Sequence, residues 1–575
     1  MMKQAQMPNI GHMLLSRAES HPDLVVLAYK NLGEDSYDTL SWRQFVADIQ
    51  RCMYFFLEQG AVPGQRVAVF SPNCRQMLVT EMAIMSLGLV SVPLFAGYKQ
   101  KMINELIRFA EVDFLVVADS VRLGMIYREL WPSCIIQFEP LSDTQVNVPV
   151  TAFEDLLART LKSEEITCCE IACHKVNRDT QALLMFTSGT MGFPKGVQLT
   201  HGNILSQQEA LAQMWPSFRG KSLLSYLPWH HSFGGIFERF FALYSCAILA
   251  LDDSGGKDMA RLMQNWAHIS PHAFFSVPKI FVELISRLQV QPELEDRFLD
   301  GLEFVFTAGA PLPSCVAETF QNHGVPVLEG WGLTETSPCC SLTRAHEGRH
   351  PGLVGKAIPG VDIKLSDEGE LLVRGPNVMM GYFKNEEANH KVFTPDGWFK
   401  TGDLGEITQA GIRIDSRKDR IFKLQNAEKV NPTEIENSLL GRCRVLKHVL
   451  VFGRGLEHVS ALVFPNKEAL GNQSRIRDCT DPHSSRELGS CLHGCITDLN
   501  AAMRKKYEFI DTFIIVDQEL EIERGELTPS LKLNPKTVFN NFYSYIRPLY
   551  EAQAEKPDDA IYVNLAETMP ANVVV

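Results

Sequence analysis

A run of small polar residues lies between two apolar runs in MFTSGTMGFPKGVQLTH, from Met185 to His201. The stretch contains four hydroxyl residues, three glycines and one lysine. Glycines expose backbone N–H groups, hydroxyls donate hydrogen bonds and lysine supplies positive charge, so the stretch is suited to holding phosphate. A Walker P-loop runs directly into a helix, whereas here the lysine precedes the strand-like run GVQLT. The pattern therefore predicts a strand–loop–strand hairpin, with a plain glycine turn as the competing interpretation.

Strand-like and helix-like patterns alternate on both sides of this stretch. The strand-like runs are RVAVFSP, DFLVVADS, ALLMF, SLLSYLP, HAFFSVP and LEFVFTAG. A buried helix is predicted for RQMLVTEMAIMSLGL, and helical patterns follow most of the later runs. This alternation predicts an α/β fold with mainly parallel sheets covered by helices on both faces. In such sheets, ligands bind at the carboxyl ends of the strands.

The pattern changes near Gly352, where glycines become frequent and apolar residues recur with a period of two. This region predicts short antiparallel strands in a small β-barrel-like subdomain. A charged stretch, IDSRKDRIFKLQ, then precedes a helix that begins at Pro432 with Asn431 as its cap. We expect a large N-terminal domain over residues 1–418 and a small mobile α+β domain over residues 419–575. The last twenty residues, from Lys556, are predicted to be a loosely held tail.

Composition excludes several classes of function. A chain of 575 residues is too long for one core, and 45% hydrophobic and 21% charged residues are typical of a globular protein. The net charge of −13 argues against binding nucleic acid. The 14 cysteines lack zinc-site spacing, which favours reduced thiols in a cytoplasmic protein. No signal peptide or membrane-spanning run is predicted, and peripheral membrane contact is left open.

Three further loops follow predicted strands and are rich in polar or aromatic residues. They are LPWHHSFGG with His230 and His231, TAGAPLP from Thr307, and GWGLTETS from Gly330. By the strand-end rule, all three should line one crevice with the hairpin loop. Taken separately, a lone histidine, Trp331 or Glu335 is more often a core or surface residue. The prediction of a site therefore rests on their convergence.

Five motifs occur in the order found in the adenylate-forming enzymes: TSGTMGFPKG, GWGLTE, GWFKTGDLGEI, SRKDRIFKLQNAEKVNPTEIE and GELTPSLKLNP. This superfamily includes acyl-CoA synthetases, aryl-CoA ligases and firefly luciferase. The resemblance extends from about Ser41 to Lys536, nearly the whole chain. The blocks FKLQNAEKV, LTPSLKL and FFSVPKIFVEL look most like the long-chain acyl-CoA synthetase branch.

The resemblance implies that the hairpin loop holds the β- and γ-phosphates of ATP and that a carboxylate accepts AMP. It implies Mg²⁺ bound by Thr187 and Glu335, and catalytic roles for Lys532, Glu335, Thr334 and His231. Nucleotide-binding positions carried over from the family are Thr187, Ser188, Gly189, Thr190, Gly192, Lys195, Gly309, Ala310, Trp331, Gly332, Asp403, Arg417 and Lys423.

Several of these positions have distinct expected roles. Trp331 stands where the family usually has tyrosine, and its indole can stack on adenine in the same way. Asp403 and Arg417 would bind the ribose hydroxyls. Gly309 and Ala310 would lie against adenine and the acyl group, with His231 beside the carboxylate. Thr334 would lie near the α-phosphate, and Lys532 would reach in from the small domain.

The resemblance implies a two-step reaction in which a medium- or long-chain fatty acid, ATP and CoA give acyl-CoA, AMP and pyrophosphate. Asp419 occupies the pivot position of the family, about which the small domain turns between the two steps. Without the resemblance, SRKDR is better interpreted as a solvated charge run.

Other functions stay open at this point. Ala427 replaces a glycine that lies near the pantetheine path in relatives, which favours an acyl-AMP ligase that loads an acyl carrier protein. The stretch PWHHSFGGIFER has GG where the long-chain branch runs straight into FER. We interpret Glu238 and Arg239 as the displaced equivalents, and we expect the acyl pocket to differ accordingly. A non-catalytic nucleotide- or acyl-binding protein of this fold is a third candidate, disfavoured because Glu335, Asp403, Arg417 and Lys532 are all present. The missing Walker pattern disfavours a kinase.

Overall fold

The computed structural model describes residues 6–31, 33–140, 150–187, 193–291, 294–443, 445–467, 482, 484–503, 505–521, 524–528, 532–551 and 553–565. Helices and strands alternate through the first three hundred or so residues, as the sequence predicts. The α-helices in this part are Ile10–Ser20, Trp42–Glu58, Arg75–Ser86, Gln100–Ala110, Ser120–Gly124, Phe153–Leu157, Ser163–His174, His201–Met214, Arg239–Ser245, Met259–Ile269, Pro278–Val290, Glu295–Leu299 and Ser314–Asn322.

Later in the chain the α-helices are Glu386–Val392, Pro432–Arg442, Ser485–Ala502, Pro535–Asn541 and Tyr543–Tyr550. Short 3₁₀ turns cover Arg128–Leu130, Thr334–Thr336, Ala345–Glu347 and Lys506–Glu508, and a π-helical segment covers Phe233–Glu238. None of the helices in the described ranges is long and apolar enough to cross a membrane.

A nine-stranded sheet forms one layer of the large N-terminal part. Its six central strands are parallel, and antiparallel strands flank them at both edges. In hydrogen-bonded order the strands are Lys356–Ala357, Ser341–Leu342, Val327–Trp331, Phe304–Ala308, Ala273–Ser276, Ser222–Ser225, Ile248–Leu251, Val25–Tyr29 and Asp38–Ser41.

An eight-stranded sheet forms the second layer and contains the hairpin of the opening motif near one edge. Its order is Gly381–Tyr382, Lys195–Thr200, Gln181–Thr187, Val90–Leu94, Arg66–Phe70, Phe114–Val117, Ile135–Gln137 and Val150–Ala152. The first three strands are antiparallel to one another, and the remaining pairs are parallel. The α/β fold with mainly parallel sheets is therefore confirmed.

Local sequence explains why the helices form where they do. The helix Trp42–Glu58 begins with a capping box between Ser41 and Gln44, which satisfies two backbone N–H groups. The helix Arg75–Ser86 is buried at every residue from Met77 onward, as an apolar-all-round pattern predicts. One large hydrophobic cluster, running from Ile10 to Ile412, joins the two layers.

The glycine-rich region forms a four-stranded antiparallel sheet in the order Asp362–Leu365, Glu370–Arg374, Phe399–Ile407 and Ile412–Arg417. The predicted antiparallel strands are present, and the hydrogen-bonded order of these four is open rather than closed into a barrel. A two-stranded hairpin, Phe422–Lys423 with Lys429–Val430, follows.

The C-terminal part is α+β, as expected. Its sheet has the order Leu446–Phe452, Val459–Pro465, Ile510–Val516 and Ala560–Asn564, and two hydrophobic clusters from Phe422 onward pack its faces. The prediction of a loose tail from Lys556 is wrong for the last of these strands. Ala560–Asn564 pairs antiparallel with Ile510–Val516, and backbone hydrogen bonds to a buried strand hold it in place.

Candidate active site

The predicted strand–loop–strand hairpin is present. The strands Gln181–Thr187 and Lys195–Thr200 pair antiparallel, and Thr187 lies opposite Lys195 in the last pair before the loop. The Thr187 hydroxyl lies 3.5 Å from the backbone oxygen of Lys195. The predicted phosphate-binding residues Ser188, Gly189, Thr190 and Gly192 lie outside the described residues. The hairpin thus places Thr187 and Lys195 at the ends of two neighbouring strands, where the loop begins and ends.

Tyr382 connects the hairpin lysine to Glu335. The Lys195 ammonium lies 4.6 Å from the centroid of the Tyr382 ring. The Tyr382 hydroxyl donates a 2.8 Å hydrogen bond to Oε1 of Glu335, and burial, followed by the charge of Glu335, raises the pKa of Tyr382. Tyr382 is buried on the strand next to the hairpin. Sequence reasoning missed this residue, because only strand pairing brings it between the two motifs.

Trp331, Asp403 and Arg417 form a second group at the ends of two different sheets. The indole N–H of Trp331 donates to Oδ2 of Asp403 over 2.8 Å. Nη1 of Arg417 donates to the other carboxylate oxygen over 3.1 Å and to the backbone oxygen of Thr401 over 3.0 Å. Burial raises the pKa of Asp403, and the charge of Arg417 and the Trp331 hydrogen bond oppose that rise. Three residues predicted to contact adenosine are therefore already connected to each other.

His231 is neutral at physiological pH in this environment. Burial, and then the positive charge of Lys532, lowers the pKa of His231 to about 4. The backbone N–H of Phe233 donates to Nδ1 of His231 over 3.3 Å, so the ring proton belongs on Nε2. Next to it, the Ser232 and Thr334 hydroxyls are 3.0 Å apart. Sequence reasoning also missed Ser232, which follows the histidine pair directly.

Lys532 comes from the C-terminal part and meets the strand end at Gly309. A Cβ atom on Gly309 would lie 2.8 Å from the Lys532 ammonium, and the φ of +88° at this position also favours glycine. Lys532 is an exposed residue, but desolvation at its ammonium end lowers its pKa; Asp403 opposes that change and Arg417 adds to it. Ala310 is exposed beside Gly309.

The remaining predicted positions differ in their surroundings. Gly332 cannot carry a side chain, because a Cβ there would lie 1.8 Å from the backbone oxygen of Pro338. Asp419 is exposed, with Oδ1 3.8 Å from Nε of Arg417. Lys423 is exposed on the two-stranded hairpin, and its backbone oxygen accepts from Gly455 over 3.0 Å. The structure therefore gathers the sheet-end residues and Lys532, and leaves Lys423 on a separate hairpin.

The donor set at Glu335 fits a magnesium ion. Its Oε1 accepts from Tyr382, which orients the carboxylate and leaves Oε2 as a hard oxygen ligand. In the described residues no cluster of three or more His, Cys, Asp or Glu side chains could hold a metal. Mg²⁺ that accompanies a nucleotide needs only one or two carboxylates in addition to phosphate oxygens. The Glu335 carboxylate therefore suits Mg²⁺ bound together with ATP, rather than a dedicated all-protein site, and the Thr187 hydroxyl stays a predicted ligand.

Comparison with known proteins identifies the class. Residues 14–383 match the family described as AMP-binding enzyme, and residues 419–554 match the AMP-binding enzyme C-terminal domain. The chain therefore belongs to the AMP-binding enzyme family, the adenylate-forming class that the motifs indicate. Adenylate-forming ligases use ATP, Mg²⁺ and coenzyme A, which agrees with the cofactors and co-substrate expected from the motifs.

Individual relatives are distant but match nearly full length. A long-chain-fatty-acid–CoA ligase, FadD15 of Mycobacterium bovis, is 25% identical over 599 positions, covering 95% of this chain and 97% of its own. The long-chain-fatty-acid–[acyl-carrier-protein] ligase AEE15 of Arabidopsis thaliana is 24% identical, covering 93% and 86%. The structure of Bacillus subtilis O-succinylbenzoate coenzyme A synthetase with ATP and magnesium superposes with a TM-score of 0.72 at 20% identity, covering 92% and 99%. That likeness confirms the two-part fold.

Proposed function

We propose that the protein is an ATP-dependent acyl-CoA ligase that activates a medium- or long-chain fatty acid through an acyl-AMP intermediate. The observation that carries the proposal is the convergence of Lys532 with Gly309, His231 and the Trp331–Asp403–Arg417 group. Adenylation brings two anions together, so a cation and fixed donors must neutralise charge that develops at the α-phosphorus.

In the first step the fatty acid carboxylate attacks the α-phosphorus, an acyl–phosphate bond forms and pyrophosphate leaves. Lys195 with the hairpin backbone binds the β- and γ-phosphates, and Lys532 stabilises charge on the α-phosphate oxygens. His231 donates from Nε2 to the carboxylate, since its Nδ1 is already an acceptor. Mg²⁺ held by Glu335 and Thr187 neutralises phosphate charge when it is bound. Tyr382 holds the Glu335 carboxylate in position.

The adenosine end has a prebuilt recognition surface. The carboxylate of Asp403 keeps lone pairs for the ribose hydroxyls, although each oxygen already accepts one hydrogen bond. Arg417 adds a charged donor on the same side. Because its N–H is fixed on Asp403, the ring of Trp331 has a set orientation for stacking on adenine.

In the second step the CoA thiolate attacks the acyl carbon, the acyl–phosphate bond breaks and AMP leaves. Lys532 must withdraw to admit the thiol. We place the domain boundary after Lys418 and the pivot at Asp419, on the exposed segment that links the four-stranded sheet to the C-terminal hairpin. Rotation there exchanges one face of the small domain for another.

The acyl group is the least constrained part of the proposal. The fatty acid assignment is supported by the long-chain-like blocks and by the relative FadD15, whereas the superposed synthetase acts on an aryl acid. The aromatic side chains of Phe233 and Phe237 pack against Phe306 of the strand Phe304–Ala308, which leads into Gly309. Each methylene buried against such a wall stabilises the complex by about 0.8 kcal/mol.

A pyrophosphate-release screen over carboxylic acids tests the proposal. We expect turnover to improve as methylenes are added, with several fatty acids exceeding acetate and benzoate. If an aryl acid exceeds every fatty acid, the ligase assignment survives and the substrate class is wrong. If no acid releases pyrophosphate, the chain is a binding protein of this fold.

An acyl carrier protein is the second candidate acceptor. Ala427 lies at φ +67°, a conformation that glycine adopts more readily, in the turn that connects Lys423 to Lys429. Its methyl group therefore occupies space that the glycine of relatives leaves open, and AEE15 is a carrier-protein ligase. Supplying CoA to enzyme-bound acyl-AMP decides the matter: acyl-CoA detected by mass supports CoA, and adenylate that persists supports a carrier protein. Peripheral membrane contact and a cytoplasmic location stay predictions.

A further inference from the structure

A pocket of about 320 Å³ opens to the surface of the large N-terminal part. It lies between the end of helix Ile10–Ser20, helix His201–Met214 with the loop that follows it, and helix Arg239–Ser245. Ala212, Ser217 and Arg219 at its mouth are exposed, so a ligand can enter from solvent. Its lining contains none of the residues assigned to ATP, the acid or CoA.

Within the part of the chain that the structure describes, three buried polar atoms of residues that line this pocket have no hydrogen-bond partner. Gln208 is only 1% exposed; its Nε2 donates to the backbone oxygen of Ile236 over 3.3 Å, and its Oε1 is unpartnered. The indole N–H of Trp215 and Nε of Arg17 are also unpartnered. An unsatisfied buried polar group costs free energy, so such groups are normally paired. These unpaired groups show that the fold itself leaves polar atoms in the wall of this pocket unsatisfied.

The pocket also carries positive charge that no carboxylate balances. The Arg17 guanidinium lies 5.1 Å from the centroid of Tyr244, and Nη1 of Arg219 lies 3.2 Å from Nε2 of His21. Across the described ranges, neither arginine forms an ion pair with an acidic side chain. Glu209, next to Gln208 in the chain, is already paired with Arg178 over 2.8 Å. The charge therefore suits an anionic ligand.

The inner wall is aromatic. The Trp215 ring packs edge-on against Phe241 with centroids 4.9 Å apart, and Phe218 lies 5.6 Å from Phe241. We propose that this pocket binds an organic carboxylate with an apolar body. The carboxylate lies at Arg17 and Arg219, and the apolar body packs on the aromatic wall.

This site is separate from the active site but connected to it. The Trp215 ring of the pocket lies 5.9 Å from Phe237, which stacks at 4.6 Å on Phe306, and Phe306 belongs to the strand Phe304–Ala308 that leads into Gly309. Gln208 holds the backbone of Ile236 in the π-helical segment that begins just after His231 and Ser232. Gln208, in the wall of the pocket, thus lies one hydrogen bond from the segment that follows His231 and Ser232.

Calorimetric titration of the full-length chain with decanoate tests the proposal. The chain is first titrated with decanoyl-sulfamoyl adenosine, an analogue of the acyl-AMP intermediate. Binding of this analogue tests the active site separately from the pocket. With that analogue saturating, we expect one further decanoate to bind, and 1-decanol to bind more weakly. Arg17→Gln should weaken decanoate by about ten- to a hundredfold, the value of one charged hydrogen bond. The control Arg43→Gln, an exposed arginine on the neighbouring helix, should change nothing.

Two results would overturn the pocket assignment. If decanoate no longer binds once the analogue is present, its site is the active site and no second site exists. If binding persists but is equally strong in Arg17→Gln and in Arg219→Gln, it occurs elsewhere on the molecule. Arg219 is exposed, so its variant serves even where Arg17→Gln does not fold. Failure of the analogue to bind would count against the proposed function alone, and the arginine variants would still test the pocket.

Discussion

The Trp331–Asp403–Arg417 group, which we propose binds adenosine, and the segment that carries Lys532 are built in different ways. Trp331, Asp403 and Arg417 are fixed to one another by hydrogen bonds of 2.8 and 3.1 Å, and Asp403 is buried. Lys532 is joined to Thr528 by two hydrogen bonds: the Thr528 backbone N–H donates to the Lys532 carbonyl oxygen, and the Lys532 backbone N–H donates to the Thr528 hydroxyl.

This difference bears on mechanism. A group whose members hold each other needs no reorganisation when a nucleotide arrives, which favours binding. In the rotation that we propose, Lys532, which comes from the C-terminal part and meets the large part at Gly309, withdraws with the small domain. The contrast supports a fixed nucleotide site and a catalytic cation that is delivered for one step only.

The largest expected effect comes from removing that cation. Lys532→Ala should lower acyl-AMP formation about 10²–10³-fold, as loss of one preorganised charge-stabilising contact typically does. Conversion of supplied acyl-AMP and CoA to thioester should stay near normal. Pyrophosphate exchange and thioester formation measure the two steps separately. Lys536→Ala, a change at an exposed lysine nearby, is the control. Equal loss in both steps would mean that Lys532 is structural and would remove the contrast.

Restricting the pivot should give the opposite pattern. Asp419→Pro fixes φ near −65°, which hinders rotation of the small domain. We expect pyrophosphate exchange to be largely retained and thioester formation to fall about tenfold or more. Asp419→Ala, which keeps backbone freedom, is the matched variant. Normal thioester formation in Asp419→Pro would place the pivot elsewhere.

Tyr382→Phe should have a smaller effect and tests the fixed side of the site. The variant keeps the ring beside Lys195 and removes the hydroxyl that donates to Glu335. Because a hydrogen bond to a charged group contributes about 1.5–3 kcal/mol, adenylation should fall about tenfold or more. The Mg²⁺ concentration for half-maximal rate should rise, which a merely structural role would not produce. Tyr127→Phe, at a partly exposed tyrosine, is the control.

The smallest expected effect is on the pH dependence of stability. It involves two histidines, His231 in the site and His201 in the core. Burial lowers the pKa of His201 to about 3, and burial with Lys532 lowers that of His231 to about 4. The unfolded chain takes up these protons near pH 6.5, so each contribution to stability is complete above pH 6.5. Stability is lost as pH falls below that value, until the folded state also protonates.

Urea unfolding at pH 7.0 and 5.5 measures this dependence. Each buried histidine should account for about 1 kcal/mol of the loss in unfolding free energy between these two pH values. The loss should be smaller by that amount in His201→Gln, whose side chain can still accept from the Ile10 backbone N–H. An unchanged pH dependence in His201→Gln would show that this histidine is protonated in the folded state.

Local sequence determined much of the fold. Three features could be predicted because their periodicity and turn residues are contiguous in the chain. They are the hairpin at Lys195, the buried helix from Arg75 and the parallel strands. The family motifs also located the positions of Trp331, Asp403 and Arg417, which the structure brings together. The edge strand Ala560–Asn564 could not be predicted from the sequence, because a short strand is stabilised by pairing with its partner, here Ile510–Val516.

Only the tertiary structure decided how the site residues meet. The Tyr382–Glu335 bond and the contact of Lys195 with the Tyr382 ring depend on strand pairing across long stretches of chain. The Trp331 bond to Asp403 joins two different sheets, and the pocket at Gln208 gathers three separate helices. A sequence pattern carries the chemistry of each side chain and its local conformation. Distances between elements are set by packing of the whole chain, so no local pattern contains them.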